Sequence, residues 1–328
     1  MAGSDRMAAT NGAYPRRQRD RAEGRGTGPR LMTTAAVRAA VAAKEELLGF
    51  NDRHFDAWYQ GQKSGASEIG ARFGTESGEL GLRGVLRQGI PPAEVFVIEP
   101  VMSAVVKMAA EDLPAEATFL PDDLPTQFGM LYFADPLPLP EHPADYAATE
   151  LDTITWQAMP GGVLVIGWAR ALTRHRDSFR MPVSFGSVGF DEHRVAGFYR
   201  GVSQNHQVLN VGLAHTLSAL RIMQQPYAAR ATEHAPRAAA KRLARQDAST
   251  GITVITFRQP QRPPRERTAE PAWTLDHRIL VRGHWRRHQH YKTLDGRWAE
   301  KEVYIGPYVK GPEGAPLVVT KKVNDLIR

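Results

Sequence analysis

The chain has 328 residues and a formal net charge of +7, with 42% hydrophobic residues, which is enough to exclude disorder throughout. The absence of cysteine excludes disulfides, iron–sulfur clusters, thiolate zinc sites and cysteine nucleophiles. The sequence has no run of 18 apolar residues, and its first residues lack the apolar segment of a secretory signal peptide. We therefore expect a cytoplasmic protein without a membrane span.

The first 90 residues are predicted to contain a tail, a helix and a loop. Residues 1–30 have no apolar periodicity and are dense in arginine and glycine, so we expect a disordered basic tail. A helix is expected to begin at Thr33 or Thr34, because apolar residues follow at helical spacing. Residues 60–90 are glycine-rich without the order of a phosphate-binding motif, which indicates a loop.

The middle of the chain is predicted to alternate short strands with two helices. We expect strands at 94–99, 128–133, 149–157 and 163–169, and helices at 100–112 and from Ser203 to Pro226. The run 163–169 is almost entirely apolar, which is typical of a central strand. Four prolines between 136 and 143 are expected to exclude regular structure, and residues 171–202 to form a surface excursion.

The last hundred residues are predicted to begin with a basic helix over 236–246. Its cationic side chains are Arg237, Lys241, Arg242 and Arg245. A strand at 252–257, an exposed proline-rich linker at 259–271, and strands at 277–291, 302–309 and 317–320 are expected to follow.

The order of these elements shows no regular βαβ rhythm. It indicates an α+β fold with a mixed or antiparallel sheet and flanking helices. We expect three parts, which are the tail 1–30, an α+β body 31–258 and a basic, β-rich C-terminal module 272–328.

Charge is distributed unevenly along the chain. Residues 1–30 carry 7 basic and 3 acidic side chains, residues 31–229 carry 15 and 22, and residues 230–328 carry 20 and 10. A basic C-terminal third beside an acidic middle predicts a surface that faces a polyanion. The alternative is that the basic third docks on its own acidic neighbour.

The segment 278–291 is dense in cationic and aromatic side chains. If it is one strand, alternation places Trp285 on the packed face, and the other face carries Arg282, His284, Arg286, His288 and His290. Arginine binds phosphate and aromatic rings stack on bases, so this face could contact nucleic acid, with Lys310 on the partner strand extending it. A solvated, charged sheet face is the alternative interpretation.

No pattern in the sequence identifies an enzyme, a metal site or a cofactor site. On a straight strand, His284 lies about 13 Å from His288, which is too far for both to bind one ion, so we expect no metal and no cofactor. His215 is interpreted as a polar contact inside the core. A hydrolase or nuclease that uses His284 with an acidic residue from elsewhere stays an alternative, which leaves enzymatic activity open.

The stretch 277–317 contains two distinctive motifs, GHWR at 283–286 and YVKGP at 308–312. With these motifs it resembles the ending of uncharacterised proteins from actinobacteria and their plasmids or phages. The upstream segment FLPDDLPTQFGMLYFADPLPL is similar to part of the same architecture. The resemblance implies a mobile-element or phage setting and no particular activity.

The preferred hypothesis is a nucleic-acid-binding protein of a mobile element or phage, which contacts the phosphates of DNA or RNA without reading sequence. An interaction protein whose basic end binds an acidic partner is a further alternative. The predicted contact residues are Arg237, Lys241, Arg242, Arg245, Arg282, His284, Arg286, His288 and Lys310.

Overall fold

The computed structural model describes residues 30–56, 59–60, 76–114, 117–138, 150–172, 178–190, 204–257, 277–292, 296, 298–310 and 317–318. The helices are α1 (Arg30–Arg53), α2 (Glu76–Gly89), α3 (Pro100–Glu111), α4 (Gln204–Met223) and α5 (Arg237–Ala244). The first strands are β1 (Glu94–Ile98), β2 (Phe128–Pro138), β3 (Glu150–Met159), β4 (Gly162–Leu172), β5 (Ser178–Gly189), β6 (Ala228–His234) and β7 (Gly251–Phe257). The C-terminal strands are β8 (Arg278–Val281), β9 (His284–Lys292), β10 (Trp298–Ile305), β11 (Tyr308–Lys310) and β12 (Leu317–Val318).

Seven strands form one mixed sheet in the order β5-β4-β3-β2-β1-β7-β6. β1 lies parallel to both β2 and β7, whereas the other neighbours are antiparallel. The predicted α+β class, with a mixed sheet and flanking helices, is therefore confirmed. β1, α3 and β2 form one parallel crossover, which the sequence pattern did not predict.

Helices cover the seven-stranded sheet on both faces. Successive side chains of β1 point to opposite faces and pack against different helices. Phe96 and Ile98 are buried together with apolar residues of α3 and α4. Val95 and Val97 are buried on the other face with residues of α1, α2 and α5. Because both faces are covered, the inner strands are apolar on both sides, as in most buried parallel pairings.

Three predictions in the body are wrong. β2 continues through Pro136 and ends at Pro138. Its register with β3 is interrupted between Tyr132 and Leu137, so Pro136 need not donate a ladder bond. The expected surface excursion 171–202 contains β5, an edge strand of the sheet. The expected loop 60–90 contains α2, in which Leu86 is buried, and Ile90 is buried directly after the helix.

The C-terminal strands form two small sheets beside the large one. β9 and β10 form a two-stranded antiparallel ribbon, and β8 lies between β11 and β12. The expected single strand over 277–291 is wrong, because the chain leaves β8 and begins β9 across Arg282 and Gly283. A Cβ at Gly283 would collide with the Tyr304 hydroxyl, so only glycine allows the backbone to pass this ring closely.

Two sequence predictions lie outside the described residues. They are the disordered tail, apart from residue 30, and the exposed linker at 259–271. The division into tail, body and C-terminal module stays a prediction. Among the described helices, none is both long and apolar enough to cross a membrane.

A buried lysine joins α1 to the sheet. The Lys44 ammonium donates hydrogen bonds to the carbonyl oxygens of Ala93 (2.6 Å) and Ser249 (2.7 Å), which lie just before β1 and β7. Burial lowers the pKa of Lys44 to about 8, although the negative charge of Glu94 opposes this shift.

Lys44 should make the stability of the protein depend on pH in the alkaline range. Its pKa in the folded protein, about 8, lies below the model value of 10.5, so the unfolded chain binds more protons between these values. We therefore expect the free energy of unfolding to rise with pH through this window, and Lys44→Met to remove that rise. Urea denaturation of both proteins across the window measures it, and parallel pH profiles would contradict the assignment.

Candidate nucleic-acid interface

The β9–β10 ribbon is held on the body by Trp285. Its indole N–H donates a hydrogen bond to the carbonyl oxygen of Ala109 in α3 (2.8 Å), and its ring packs edge-on against Tyr304 at a centroid distance of 5.3 Å. The flanking side chains of His284 and Arg286 are exposed. The predicted facing of Trp285 and Arg286 is therefore confirmed.

Tyr304 of β10 lies where the ribbon packs on the body. It is completely buried in the same apolar cluster as α3 and α4, and its carbonyl oxygen accepts a hydrogen bond from the Tyr227 hydroxyl (3.1 Å). Burial raises the pKa of Tyr304 to about 12 and also raises the pKa of Tyr227. Both hydroxyls therefore stay neutral at physiological pH, so no charge is buried at this contact.

A buried arginine adds an ionic link between the ribbon and the body. The Arg221 guanidinium of α4 contacts the buried carboxylate of Asp123 at 3.3 Å and Glu302 of β10 at 2.6 Å. It also donates a hydrogen bond to the Thr118 carbonyl oxygen (2.7 Å). This contact was not predicted, because Arg221 is 98 positions from Asp123 and 81 positions from Glu302 in the chain.

Arg282 is not part of the expected cationic face. It lies between β8 and β9, where its guanidinium pairs with Asp112 (3.0 Å) and Glu111 (3.5 Å) at the end of α3. The cause is local, since the strand break turns this residue towards the acidic end of the helix. Here the basic module docks on its own acidic neighbour, which was the alternative interpretation of the charge distribution.

A bulge interrupts the pairing of β9 with β10 just beyond Arg286. β9 advances three residues from Arg286 to Gln289 while β10 advances two from Val303 to Lys301. This bulge interrupts the two-residue alternation. The side chain of His288 lies outside the described residues, so its place on the same face as Arg286 stays a prediction. The remaining predicted contact, Lys310, is exposed on β11, which pairs with β8 and not with the ribbon.

The basic helix predicted at 236–246 is confirmed as α5. Its cationic side chains differ in whether they pair with a carboxylate. Ala239 and Leu243 are buried against the sheet. Arg242 is bound to Glu45 of α1 through two hydrogen bonds of 2.8 and 3.0 Å, which raise the pKa of its guanidinium. The other three cations are exposed and form no ion pair with a carboxylate of the described residues; they are Arg237, Lys241 and Arg245.

These three residues form a cationic stripe, the α5 stripe. They recur every four residues, which places neighbours about 6 Å apart along the helix axis and the ends about 12 Å apart. The stripe and the ribbon lie against opposite faces of the seven-stranded sheet, because Leu243 packs with α1 and Trp285 with α3. The predicted contact surface is therefore divided into two separate parts.

Among the described residues, no carboxylate or second histidine forms a catalytic pair with His215 or His284. His215 is partly buried in α4, where burial lowers its pKa to about 4 and its Nδ1 lies 2.7 Å from the Val211 carbonyl oxygen, as expected for a core contact. No carboxylate of the described residues forms an ion pair with His284. Within the described residues, no group of three or more His, Asp or Glu side chains could hold a metal ion.

A second ion cluster, which the sequence did not indicate, lies on the α1 face of the sheet. Arg180 of β5 is buried and binds Asp152 of β3 through two hydrogen bonds of 3.0 and 2.6 Å. It also pairs with Glu46 of α1, which approaches Arg170 at 3.8 Å. Two cations and two carboxylates balance one another here, so the cluster offers no net charge to a ligand.

No protein-family model matches the chain. No curated protein matches it either. A solved structure titled "Crystal structure of AcrVA2" is similar to the chain at 13% identity and a TM-score of 0.37, covering 84% of this chain and 98% of that chain.

Proposed function

We propose that the protein binds nucleic acid through sequence-independent contacts to phosphates, made chiefly by the α5 stripe. The observation that carries this proposal is the contrast within one helix. Arg242 is neutralised by Glu45, whereas Arg237, Lys241 and Arg245 are exposed and without a carboxylate partner among the described residues. Three unneutralised cations in a row are the arrangement that displaces counterions from a polyphosphate chain.

The exposed pair His284 and Arg286 on the ribbon supports a second, smaller contact. Because it lies against the other face of the sheet, a nucleic acid that touches both surfaces has to pass around the sheet. A setting in a mobile element or phage is part of the proposal and rests on the resemblance of the C-terminal segment. Whether the polymer is DNA or RNA is left to the experiment.

Neutralising the α5 stripe should weaken binding and flatten its dependence on salt. Each lost phosphate contact lowers the slope of log K against log salt by about 0.7–0.9, so replacing Arg237, Lys241 and Arg245 by glutamine should lower it by about 2–3. Fluorescence anisotropy with a labelled random oligonucleotide, between about 50 and 200 mM salt, measures this slope. The melting temperature should stay unchanged, because all three side chains are exposed.

Matched controls lie on the same elements. Arg242→Gln removes a cation from α5 that already pairs with Glu45, and Arg282→Gln removes one that pairs with Asp112. Neither substitution should lower the slope of log K against log salt by the amount of about 0.7–0.9 that the loss of one phosphate contact produces. If Arg286→Gln flattens the slope and the stripe variant does not, the contact surface is the ribbon. If the wild-type protein captures an acidic protein but no nucleic acid, the acidic-partner hypothesis replaces this one.

A further inference from the structure

Glu45 of α1 binds Arg242 of α5 in a geometry that a phosphate group also adopts. Nε and Nη2 of Arg242 donate hydrogen bonds to the two different carboxylate oxygens of Glu45, at 2.8 and 3.0 Å, so the contact is bidentate. A phosphate group offers a guanidinium two oxygens in the same arrangement. The pair lies at the surface, since 54% of the Arg242 side chain and 26% of the Glu45 side chain are exposed. A ligand bound on α5 can therefore reach this guanidinium.

Arg242 lies beside the α5 stripe. It follows Lys241 directly and precedes Arg245 by three positions. Residues three apart on a helix are neighbours on its surface, with Cβ atoms about 5–6 Å apart. A polyphosphate chain that lies along the stripe therefore passes next to Arg242.

We propose that Arg242 is a fourth phosphate subsite of α5 and that Glu45 keeps this subsite closed by occupying the guanidinium. The inference rests on the proposed function and adds to it an intramolecular contact that limits affinity. While the pair is intact its net charge is zero, so Arg242 displaces no counterion from a polyphosphate chain. Removing the negative charge of Glu45 opens the subsite without adding a cation to the protein.

Glu45 retains Arg242 against a phosphate for two reasons. It belongs to a helix that packs on the sheet through Val41 and Leu47, so its contact with Arg242 is intramolecular and immobilises no second molecule. A phosphate that displaced the carboxylate would also lie close to it, and like charges repel one another. An exposed ion pair is weak by itself, so the loss of one charge is enough to release the guanidinium.

Glu45→Gln should steepen the salt dependence of binding by one phosphate contact. In anisotropy titrations with the labelled random oligonucleotide, we expect the slope of log K against log salt to become steeper by about 0.7–0.9. Over the decade of salt between about 1 M and 0.1 M, this slope corresponds to an affinity about 5- to 8-fold higher at 0.1 M. The melting temperature should change little, because the ion pair is largely exposed.

A double-mutant cycle tests whether the gain depends on the released guanidinium. Arg242→Gln should leave the slope unchanged when Glu45 is present, because the subsite is then closed. The same substitution should abolish the gain when it is added to Glu45→Gln. This non-additivity is specific to a contact made by Arg242 itself.

Asp247→Asn is the matched control for a general effect of net charge. Asp247 is exposed two residues after Arg245 and forms no ion pair with a cation of the described residues. Its backbone φ is 51°, a conformation that asparagine tolerates as well as aspartate does. The substitution removes a negative charge near the α5 stripe and releases no cation, so it should not steepen the slope by one contact.

The possible outcomes separate this inference from the proposed function. If wild type binds and Glu45→Gln has the same slope, Arg242 is no phosphate subsite and the contacts of the α5 stripe stand. A steeper slope that persists after Arg242→Gln is added, or that Asp247→Asn reproduces, also overturns the inference, because net charge then explains it. If neither wild type nor Glu45→Gln binds at low salt, the proposed function and this inference fail together.

Discussion

Replacing Arg221 by methionine should lower the free energy of unfolding by about 3–5 kcal/mol. Only 2% of the side chain is exposed, and it is the cation that faces the fully buried Asp123. Methionine fills similar space but leaves that carboxylate buried without a counter-ion, and it removes the hydrogen bond to the Thr118 carbonyl oxygen. Urea denaturation followed by circular dichroism measures the change.

A second variant separates the charge from the packing. In Arg221→Met combined with Asp123→Asn, no buried charge is left unpaired, so much of the lost stability should return. Glu302→Gln alone should cost less, because Glu302 is partly exposed and can remain solvated. A loss of under about 1 kcal/mol for Arg221→Met would show that this contact does not hold the ribbon on the body.

Trp285→Ala should destabilise the fold by about 3 kcal/mol, near the lower limit for an aromatic residue truncated in a core, because the ring is only partly buried. The substitution removes the contact with Tyr304 and leaves the Ala109 carbonyl oxygen without its donor. Trp285→Phe keeps a ring and loses the hydrogen bond, so about 1 kcal/mol is expected.

The neighbouring residue is the control for the facing of the strand. Arg286→Ala should leave the free energy of unfolding almost unchanged, because the side chain is exposed. If Arg286→Ala destabilises the protein and Trp285→Ala does not, the ribbon faces the body the other way. The exposed His284 would then also lose its place in the proposed contact.

Local patterns in the sequence predicted most of the regular elements. The apolar spacing that predicted α4 reappears as the buried face of that helix, where Leu213 and Leu217 are almost fully enclosed. The prediction that Trp285 packs on the body and Arg286 is exposed was also correct, because burial in a short strand follows a two-residue period. Both predictions depend on residues within a few positions of one another.

Predictions that depend on distant contacts failed. Arg180 lies in a segment whose polar composition predicts a surface position, yet Asp152 and Glu46 from other elements neutralise it in the interior. Arg282 and Arg242 were expected to face a polyanion, and each is paired with a carboxylate of the body. A sequence shows how many charges a segment carries but not which of them the fold itself uses.

The most direct test of the central claim is the salt dependence of binding by the wild-type protein. Three phosphate contacts by the α5 stripe predict affinity for a random oligonucleotide that falls as salt rises, with a log–log slope of about −2 or steeper. Anisotropy titrations at several salt concentrations, after nuclease treatment and removal of co-purified nucleic acid, give this slope. A slope near zero, or no binding of DNA or RNA at low salt, would contradict the proposal.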